Sequence, residues 1–391
     1  MVNNEKEKQI EILLTRGVES IYPNLDEFKK VLLSEKKLTV FLGIDPTGPT
    51  LHIGHGLQLL KLKEFVDLGH RVVLLIGDST GAVGDPSGKT SSRQKLAKNE
   101  IKENYKNYQS QIKNFLDLKK IKVVYNSEWF SKMTADDFID LASEFTVGQM
   151  LERDMFQERL KKAEPIYLNE LLYPVMQGYD SVMIDADVEI GGNDQTFNML
   201  TGRTMQKRRG REKFVVTLKL LTDPTGKKMG KTEGNMIALS DNPADIYGKV
   251  MSWPDSVITS SFEICTNLKK KVIDDYLKLP PKEAKMALAR SIVSLYKGLD
   301  QVESAEEDFI AKFQKKETPL KNIKTIKAIT GSKLADILVE NNLVDSKTEF
   351  SRLVLAGGVY VDDKRITDIH YQILFSVVVK IGKKKFVKVI L

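Results

Sequence analysis

The sequence contains a single cysteine, Cys265, among its 391 residues. One thiol excludes an intrachain disulfide framework and a zinc site built from several thiolates. No stretch approaches the roughly 18 uninterrupted apolar residues that a membrane span requires. The polar, acid-containing amino terminus also lacks the apolar core of a secretory signal. These absences predict a cytoplasmic protein with no membrane partner.

Neither charge sign dominates the chain. The 60 basic and 53 acidic side chains leave a formal net charge of +7, which permits nucleic-acid binding without requiring it. The residues are 41% hydrophobic and 29% charged. At this length, such a composition predicts a globular protein with two or three domains.

The first recognisable unit is a strand, a helix and a second strand. An apolar run over 38–44 predicts the first strand, and turn formers at 45–49 end it. Helical spacing over 53–68 and an apolar run over 71–76 complete the unit. In a βαβ unit the strands are parallel and both faces are covered. The pattern therefore predicts an α/β protein with a Rossmann-type, doubly wound parallel sheet.

Farther along the chain, apolar runs predict strands over 123–125, 182–187 and 214–218. Beyond about residue 240 the pattern predicts helices, with no strand before 355 and with Ser332 as a helix cap. Four regions follow: an α/β domain with an inserted helical region, an α-helical domain, a linker, and a small α+β domain. Their predicted bounds are 1–225, 226–320, 321–331 and 332–391.

Histidine is scarce, and two of the four histidines lie three residues apart in His52-Ile53-Gly54-His55. This tetrapeptide falls where the first strand passes into the first helix. A helix start presents unpaired N–H groups and a positive dipole end, which suit a phosphate chain. The two imidazoles can donate hydrogen bonds to phosphoryl oxygens. The alternative is a pair of surface or capping histidines.

A second candidate, Gly84-Asp85-Pro86-Ser87-Gly88-Lys89-Thr90, resembles a phosphate-binding P-loop only superficially. The spacing from Gly84 is one residue short, because a P-loop would need its first glycine at Val83. Pro86 also removes a backbone donor. The carboxylate of Asp85 is better suited to a cation such as an amino-acid ammonium group.

A third candidate is the basic segment Lys227-Lys228-Met229-Gly230-Lys231-Thr232. Glycine and proline lie on its amino-terminal side, which predicts a mobile loop. Its lysines could close over a triphosphate and neutralise leaving pyrophosphate. Without the two histidines, the simpler interpretation is a solvated loop.

Together, these segments resemble the class I aminoacyl-tRNA synthetases, whose signatures are HIGH and KMSKS. The resemblance is strongest to the bacterial-type tyrosyl-tRNA synthetase family and covers nearly the whole chain. It is carried by ordered blocks that all occur in this sequence, namely 43–47, 52–55, 84–88, 173–180, 191–195 and 228–232. The resemblance implies a ligase that activates tyrosine with ATP and transfers it to tRNA(Tyr).

The family's functional residues carry over to positions in four groups. The catalytic donors would be His52, His55, Lys228, Lys231 and Thr232. The ATP-binding residues would be Asp45, Thr47, Gly54, Gly192, Asp194 and Lys231. The tyrosine-binding residues would be Asp85, Tyr173, Gln177, Asp180 and Gln195. In the S4-like RNA-binding domain over 332–391, the tRNA-binding residues would be Lys347, Arg352, Lys364 and Arg365.

Two positions depart from the family pattern. Phe41 stands where many members have a tyrosine that touches the substrate hydroxyl, which leaves Asp180 as the main residue for hydroxyl recognition. Glu189 stands where a glutamine is common. Its carboxylate could add negative charge near the substrate ammonium group or point elsewhere.

The implied chemistry needs no general base, because the tyrosine carboxylate is already ionised at neutral pH. It attacks the α-phosphorus of ATP, with Mg²⁺ as a phosphate-bridging ion, and no dedicated protein metal site is expected. Catalysis then comes from positioning and from donors aimed at growing charge.

Two rival interpretations remain. A tryptophanyl enzyme of the same class is disfavoured because Asp180 suits a phenol better than an indole. A non-catalytic RNA-binding protein on the same scaffold would be favoured by loss of His55, Lys231 or Asp194, all of which are present. A homodimer is expected from the family alone, since the sequence shows no independent interface signal.

Overall fold

The computed structural model describes residues 2–87, 97–222, 236–313, 324–362, 364–382 and 385–391. The chain divides into two compact units, Met1–Gln301 and Val302–Leu391. The first unit contains the parallel sheet and most of the helices, and the second contains a small sheet with short helices. No helix in the described part of the chain is long and apolar enough to cross a membrane.

The first unit is built on a six-stranded sheet in the order β1-β6-β5-β2-β3-β4. The five strands from β6 to β4 are parallel to their neighbours, and β1 pairs antiparallel with β6 at the edge. The strand bounds are Val18–Tyr22, Thr39–Ile44, Arg71–Ile76, Lys122–Tyr125, Val188–Gly192 and Phe214–Leu218 for β1 to β6. The central strands are buried along nearly their whole length, as parallel strands covered on both faces should be.

Helices cover this sheet and extend beyond it. Helices α1 to α8 span Val2–Thr15, Leu25–Leu33, Ile53–Asp67, Asp78–Val83, Lys98–Ile112, Ser127–Phe130, Ala135–Ser143 and Val147–Leu151. Helices α9 to α15 span Asp154–Lys161, Leu168–Met183, Thr196–Arg208, Pro243–Met251, Ile258–Cys265, Lys270–Leu277 and Pro281–Lys297. The predicted Rossmann-type sheet followed by a helical region is therefore confirmed.

Two predictions for the first unit were wrong. The predicted strand over 182–187 is instead the end of α10 and a turn, and the strand begins at Val188. The apolar residues at 182–184 continue the helix, and Asp185 then reverses the chain with a left-handed φ of 56°. Strand β1 was not predicted, because its short pattern directly follows α1, from which Gly17 at φ 62° separates it.

The second unit begins with α16 at Val302–Phe313 and contains α17 at Leu334–Glu340 and α18 at Lys347–Leu355. Its five strands lie in the order β7-β11-β10-β8-β9, with β7 parallel to β11 and the other pairs antiparallel. Strands β7 to β11 span Lys324–Lys327, Val359–Val361, Lys364–Arg365, Val377–Ile381 and Lys385–Ile390. Side chains such as Leu338, Phe350, Val359 and Val379 form its core.

Two expectations for the second unit were also wrong. Strand β7 lies before residue 355, within the segment 321–331 predicted as a linker. Its pattern is weak because only Ile326 of its four residues is buried. Ser332 is not the cap of α17, which Lys333 precedes without a side-chain hydrogen bond.

Candidate active site

The candidate active site lies where the order of strands in the sheet changes direction, between β2 and β5. From β2 the chain moves outward through β3 to β4, whereas β5 lies on the other side of β2 and is followed by β6. In such sheets the crevice beyond the carboxyl ends of the two central strands is where ligands bind. Here those ends are Ile44 of β2 and Gly192 of β5.

The two signature histidines lie together at the start of α3. The Gly54 N–H donates to Nδ1 of His52, and the His52 N–H donates to Nδ1 of His55, each across 3.2 Å. Their ring centroids are 3.9 Å apart. Because each Nδ1 accepts a backbone hydrogen bond, the neutral rings carry their proton on Nε2. The helix start therefore combines backbone donors with two oriented imidazoles.

The backbone of the signature tetrapeptide pairs with residues that follow the basic segment. The Ile53 N–H donates to the Ile237 carbonyl across 3.0 Å, and the Leu239 N–H donates to the Leu51 carbonyl across 2.8 Å. The chain after residue 235 is thus anchored beside the histidines. Three predicted catalytic residues, Lys228, Lys231 and Thr232, lie outside the described residues, as does Gly88.

Asp45 connects the predicted ATP-binding residues to the predicted amino-acid pocket. Its Oδ1 accepts a hydrogen bond from the Thr80 hydroxyl at 2.7 Å, and its Oδ2 accepts one from the Tyr173 hydroxyl at 2.9 Å. Thr47 lies two residues on, where its N–H donates to the Asp45 carbonyl across 2.8 Å. Burial raises the pKa of Tyr173 well above its usual range, so its phenol remains a donor.

Helix α10 places Tyr173, Gln177 and Asp180 on one face, since residues spaced by three or four lie above one another on a helix. Asp180 is buried, and each of its carboxylate oxygens accepts a hydrogen bond. Nδ2 of Asn126 donates to Oδ2 across 3.2 Å, and Nε1 of Trp129 donates to Oδ1 across 2.9 Å. Burial raises the pKa of Asp180 well above its ordinary value, although both hydrogen bonds act in the opposite direction.

These two donors change the argument for hydroxyl recognition. Asp180 already has partners from the protein, so a substrate without a hydroxyl would not leave it wholly unsatisfied. Discrimination must instead come from the additional hydrogen bond that a phenol can donate to a buried carboxylate. Asn126 and Trp129 were missed by sequence reasoning, because they follow β4 and meet α10 only in the folded chain.

Two more predicted tyrosine-binding residues contact each other. Nε2 of Gln195 donates to Oδ2 of Asp85 across 2.7 Å. The other oxygen of Asp85 accepts the Ser87 N–H at 2.9 Å, and the Ser87 hydroxyl accepts a hydrogen bond from Nη2 of Arg153 at 2.6 Å. Asp85 thus lies in a polar network whose buried cation, Arg153, was not anticipated.

The predicted nucleotide-binding glycines have close neighbours. A Cβ atom on Gly54 would lie 3.0 Å from Cε1 of His52. On Gly192 it would lie 2.5 Å from Oδ1 of Asp194. A side chain at Gly54 would press on the predicted catalytic donor His52, and one at Gly192 would displace the side chain of Asp194, which is predicted to bind ATP.

The departure at Glu189 has a structural explanation. Glu189 is buried and forms an ion pair with Lys213, whose side chain is also fully buried. Its other oxygen accepts a hydrogen bond from Nε2 of Gln177 at 3.0 Å. The negative charge therefore lies beside the pocket but is compensated. Phe41 is fully buried, and Nζ of Lys213 lies 5.8 Å from its ring centroid.

The predicted tRNA-binding residues occupy two parts of the second unit. Arg352 lies on α18, while Lys364 and Arg365 form β9; all three are exposed. The Arg365 guanidinium covers Gly357, since a Cβ atom there would lie 2.3 Å from Cζ. Lys347 lies at the other end of α18, where Nζ is 2.5 Å from Oδ1 of Asp336.

Family models match both parts of the chain. Residues 33–314 match the model of the class I tRNA synthetases (W and Y), and residues 332–379 match the S4 domain. The first match covers more than half of the chain. Its range includes the signature histidines, the α10 face and the basic segment.

Named relatives and solved structures agree with these matches. The chain is 42% identical to the tyrosine–tRNA ligase of Thermotoga maritima, covering 98% of this chain and 97% of that protein. It is 41% identical to the tyrosine–tRNA ligase of Carboxydothermus hydrogenoformans, covering 99% and 98%. A C-terminally truncated Coccidioides posadasii mitochondrial tyrosyl-tRNA synthetase matches with a TM-score of 0.63 and 25% identity, covering 78% of this chain and 95% of that one. The chain belongs to the tyrosine–tRNA ligase family of class I tRNA synthetases.

Proposed function

We propose that this protein activates L-tyrosine with ATP to give tyrosyl-adenylate and pyrophosphate, and then transfers the tyrosyl group to the 3′-terminal ribose of tRNA(Tyr). The observation that carries the proposal is the common face of α10. At one end of this face the Tyr173 hydroxyl donates to Asp45, which directly follows β2, and at the other end Asp180 is buried. A substrate aligned along it would place its carboxylate towards the phosphates and its phenol at Asp180.

The amino-acid end of the site suits a zwitterion. Asp85, Tyr173 and Gln177 would hold the ammonium group, with Gln195 orienting Asp85 through their hydrogen bond. Asp180 would accept the phenolic hydroxyl. A charged acceptor in a buried site makes the stronger kind of hydrogen bond, which supports a phenol as the specificity-determining group.

The nucleotide would enter as its magnesium complex. Asp45, Thr47, Gly54, Gly192 and Asp194 would receive the nucleoside part at the carboxyl ends of β2 and β5. In-line attack by the tyrosine carboxylate on the α-phosphorus then expels pyrophosphate. The charge that grows on the phosphates would be met by Nε2–H donors of the two histidines, which need no reorientation.

Lys228, Lys231 and Thr232 would complete the phosphate site. The pairing of Ile237 and Leu239 with residues 51–53 supports this role, because it anchors the chain that follows the basic segment beside the histidines. Within the described residues, no cluster of three His, Cys, Asp or Glu side chains could hold a metal ion.

The second unit would bind tRNA through Lys347, Arg352, Lys364 and Arg365. These side chains can contact phosphates, which gives salt-dependent affinity with little sequence discrimination. The S4 match over 332–379 supports this role. The domain bounds 1–225, 226–320 and 332–391 are part of the same proposal, whereas a linker over 321–331 is not, because β7 lies within that segment.

A homodimer in the bacterial cytoplasm completes the proposal. Its support on this chain is a set of exposed apolar side chains between β4 and β5, namely Ile139, Val147, Leu160, Tyr167 and Leu168. Leu168 is 70% exposed at the start of α10. Sedimentation of the wild type and of Leu168→Asp tests this surface: the wild type should sediment as a dimer and the variant as a monomer.

The activation step is tested by tyrosine-dependent exchange of labelled pyrophosphate into ATP without tRNA. Phenylalanine and tryptophan serve as parallel substrates. We expect exchange with tyrosine, strongly reduced in Lys231→Ala and retained in the control Lys282→Ala, an exposed lysine outside the site. Comparable exchange with phenylalanine would overturn the role of Asp180. No exchange in a folded sample that binds RNA would favour the non-catalytic alternative.

A further inference from the structure

A buried ion pair lies beneath the proposed amino-acid pocket. The Lys213 ammonium donates to Oε2 of Glu189, and the two side chains are 0% and 2% exposed. Taking both charges out of water is expensive unless each gains specific partners. A pair of this kind beside a binding site calls for an explanation beyond general stability.

The sheet aligns the two residues across neighbouring strands. Glu189 of β5 is in register with Phe41 of β2 on one side and Val215 of β6 on the other. Lys213 lies two residues before Val215, and side chains two residues apart along a strand point to the same face. The Lys213 side chain therefore lies on the same face of the sheet as that of Glu189.

Two glycines make room for the lysine. Helices α10 and α11 approach so closely that a Cβ atom on Gly178 would lie 3.1 Å from the backbone nitrogen of Gly202. A Cβ atom on Gly202 would lie 2.5 Å from Nζ of Lys213. The space that places the ammonium against Glu189 therefore depends on the absence of a side chain at Gly202.

Glu189 connects this pair to the pocket. Its Oε1 accepts a hydrogen bond from Nε2 of Gln177 at 3.0 Å. A carboxylate can only accept, so it determines which end of the Gln177 carboxamide is nitrogen. The oxygen of that amide must then face away from Glu189, and an amide oxygen is the end that can accept from an ammonium group.

We propose that Glu189 and Lys213 are positioning residues for the amino-acid substrate, which hold the Gln177 carboxamide with its oxygen towards the substrate's ammonium group. The proposal rests on the proposed function. Glu189 orients the amide, and the Lys213 ammonium compensates the buried charge of Glu189.

Neighbouring charges explain why the lysine is needed. Asp180 is a second buried carboxylate nearby, and the negative charge of Glu189 contributes to raising its pKa. Burial lowers the pKa of Lys213, while Glu189 and Asp180 both act to raise it. Without the lysine, two carboxylates would be buried near each other with no compensating cation, which is costly.

The test replaces the pair by neutral residues of similar size, in the double variant Glu189→Gln and Lys213→Met. A neutral glutamine can either donate to or accept from Gln177, so the orientation is no longer imposed. We expect KM for tyrosine in pyrophosphate exchange to rise about tenfold or more, with KM for ATP within about twofold of the wild type. The matched control is Glu263→Gln with Lys219→Met, which neutralises a partly exposed pair 3.6 Å apart in the same unit.

A ligand without the ammonium group separates positioning from a structural effect. Binding of 3-(4-hydroxyphenyl)propionate, measured as inhibition of exchange, should be unchanged in the double variant, because the lost interaction is with nitrogen. Equal weakening of tyrosine and this analogue, or no change in KM for tyrosine, would overturn the proposal. If the methionine variant does not fold, Glu189→Gln with Lys213→Gln replaces it, since it keeps polar groups at both sites. The same expected and contradicting results apply to this second variant. Failure of the wild type to activate tyrosine would instead refute the proposed function.

Discussion

The backbone N–H of His52 donates to Nδ1 of His55, so the second signature histidine caps the helix that the first one begins. One ring nitrogen of His55 is therefore structural, and the other is the proposed donor to phosphate. A substitution can remove the two functions together or one at a time.

His55→Asn and His55→Ala separate these functions. The asparagine oxygen can still accept the His52 N–H, whereas alanine cannot. Both variants should lose about two to three powers of ten in the rate of pyrophosphate exchange, the range for removing one preorganised donor. Only the alanine variant should also lose about 1 kcal/mol of unfolding free energy. Urea titration of both variants checks this, and equal stabilities would show that the cap contributes nothing.

Asp180→Asn should reduce selection for tyrosine. It removes the charged acceptor for the phenol, and a hydrogen bond to a charged group contributes about 1.5–3 kcal/mol. We expect kcat/KM for tyrosine to fall about 10- to 150-fold, while that for phenylalanine changes much less. Asp185→Asn, on a largely exposed carboxylate just after α10, is the control. Parallel losses for both amino acids would place the phenol elsewhere.

The stability of the protein should depend on the protonation of His70. Burial lowers the pKa of His70 below its ordinary value, and its Nδ1 accepts the Leu38 N–H at 3.3 Å. The unfolded chain therefore binds the proton more readily, so the contribution of His70 is full above the ordinary histidine pKa and is lost as the pH falls through it. Between about pH 7.5 and about pH 5 the wild type should lose more unfolding free energy than His70→Asn, which can still accept from Leu38. Arg71→Gln, an exposed neighbour without an imidazole, should follow the wild type.

Arg365→Gln should weaken tRNA binding in a salt-dependent manner. Removing one phosphate contact is expected to lower the slope of log affinity against log salt by about one. Gly357→Ala should also weaken binding, because its methyl group would displace the Arg365 side chain, and it should lower stability as well, because the backbone there has a left-handed φ of 72°. Filter binding over a range of salt concentrations measures the slope. Lys327→Gln, on an exposed position of β7, is the control, and an equal loss there would indicate only a general charge effect.

The features predictable from sequence were those encoded over short distances. The strand at 71–76 was predicted at its observed bounds, because an apolar run between a glycine stop and a turn is a local signal. Tyr173, Gln177 and Asp180 were named from the family resemblance alone, and their common face on α10 is seen only in the structure. The roles of these residues stay predictions.

The features that sequence did not reveal depend on contacts between distant segments. Lys213 looks like an ordinary lysine before an apolar strand, and only the helix crossing at Gly178 and Gly202 explains its burial. Trp129 lies about fifty residues from Asp180 in sequence, and nothing local pairs them. The predicted strand over 182–187 failed because three apolar residues fit either a helix end or a strand.

Two segments of the chain form the end of the pocket around Asp180, which restricts how its substrate specificity can be changed. Asn126 and Trp129 direct their N–H groups at Asp180 from outside α10. An apolar residue at position 180 would admit a substrate with a methyl or halogen in the para position. It would also remove the acceptor to which both N–H groups donate in this buried site, which is costly. A para-substituted phenylalanine would therefore be accommodated only by changing positions 126, 129 and 180 together.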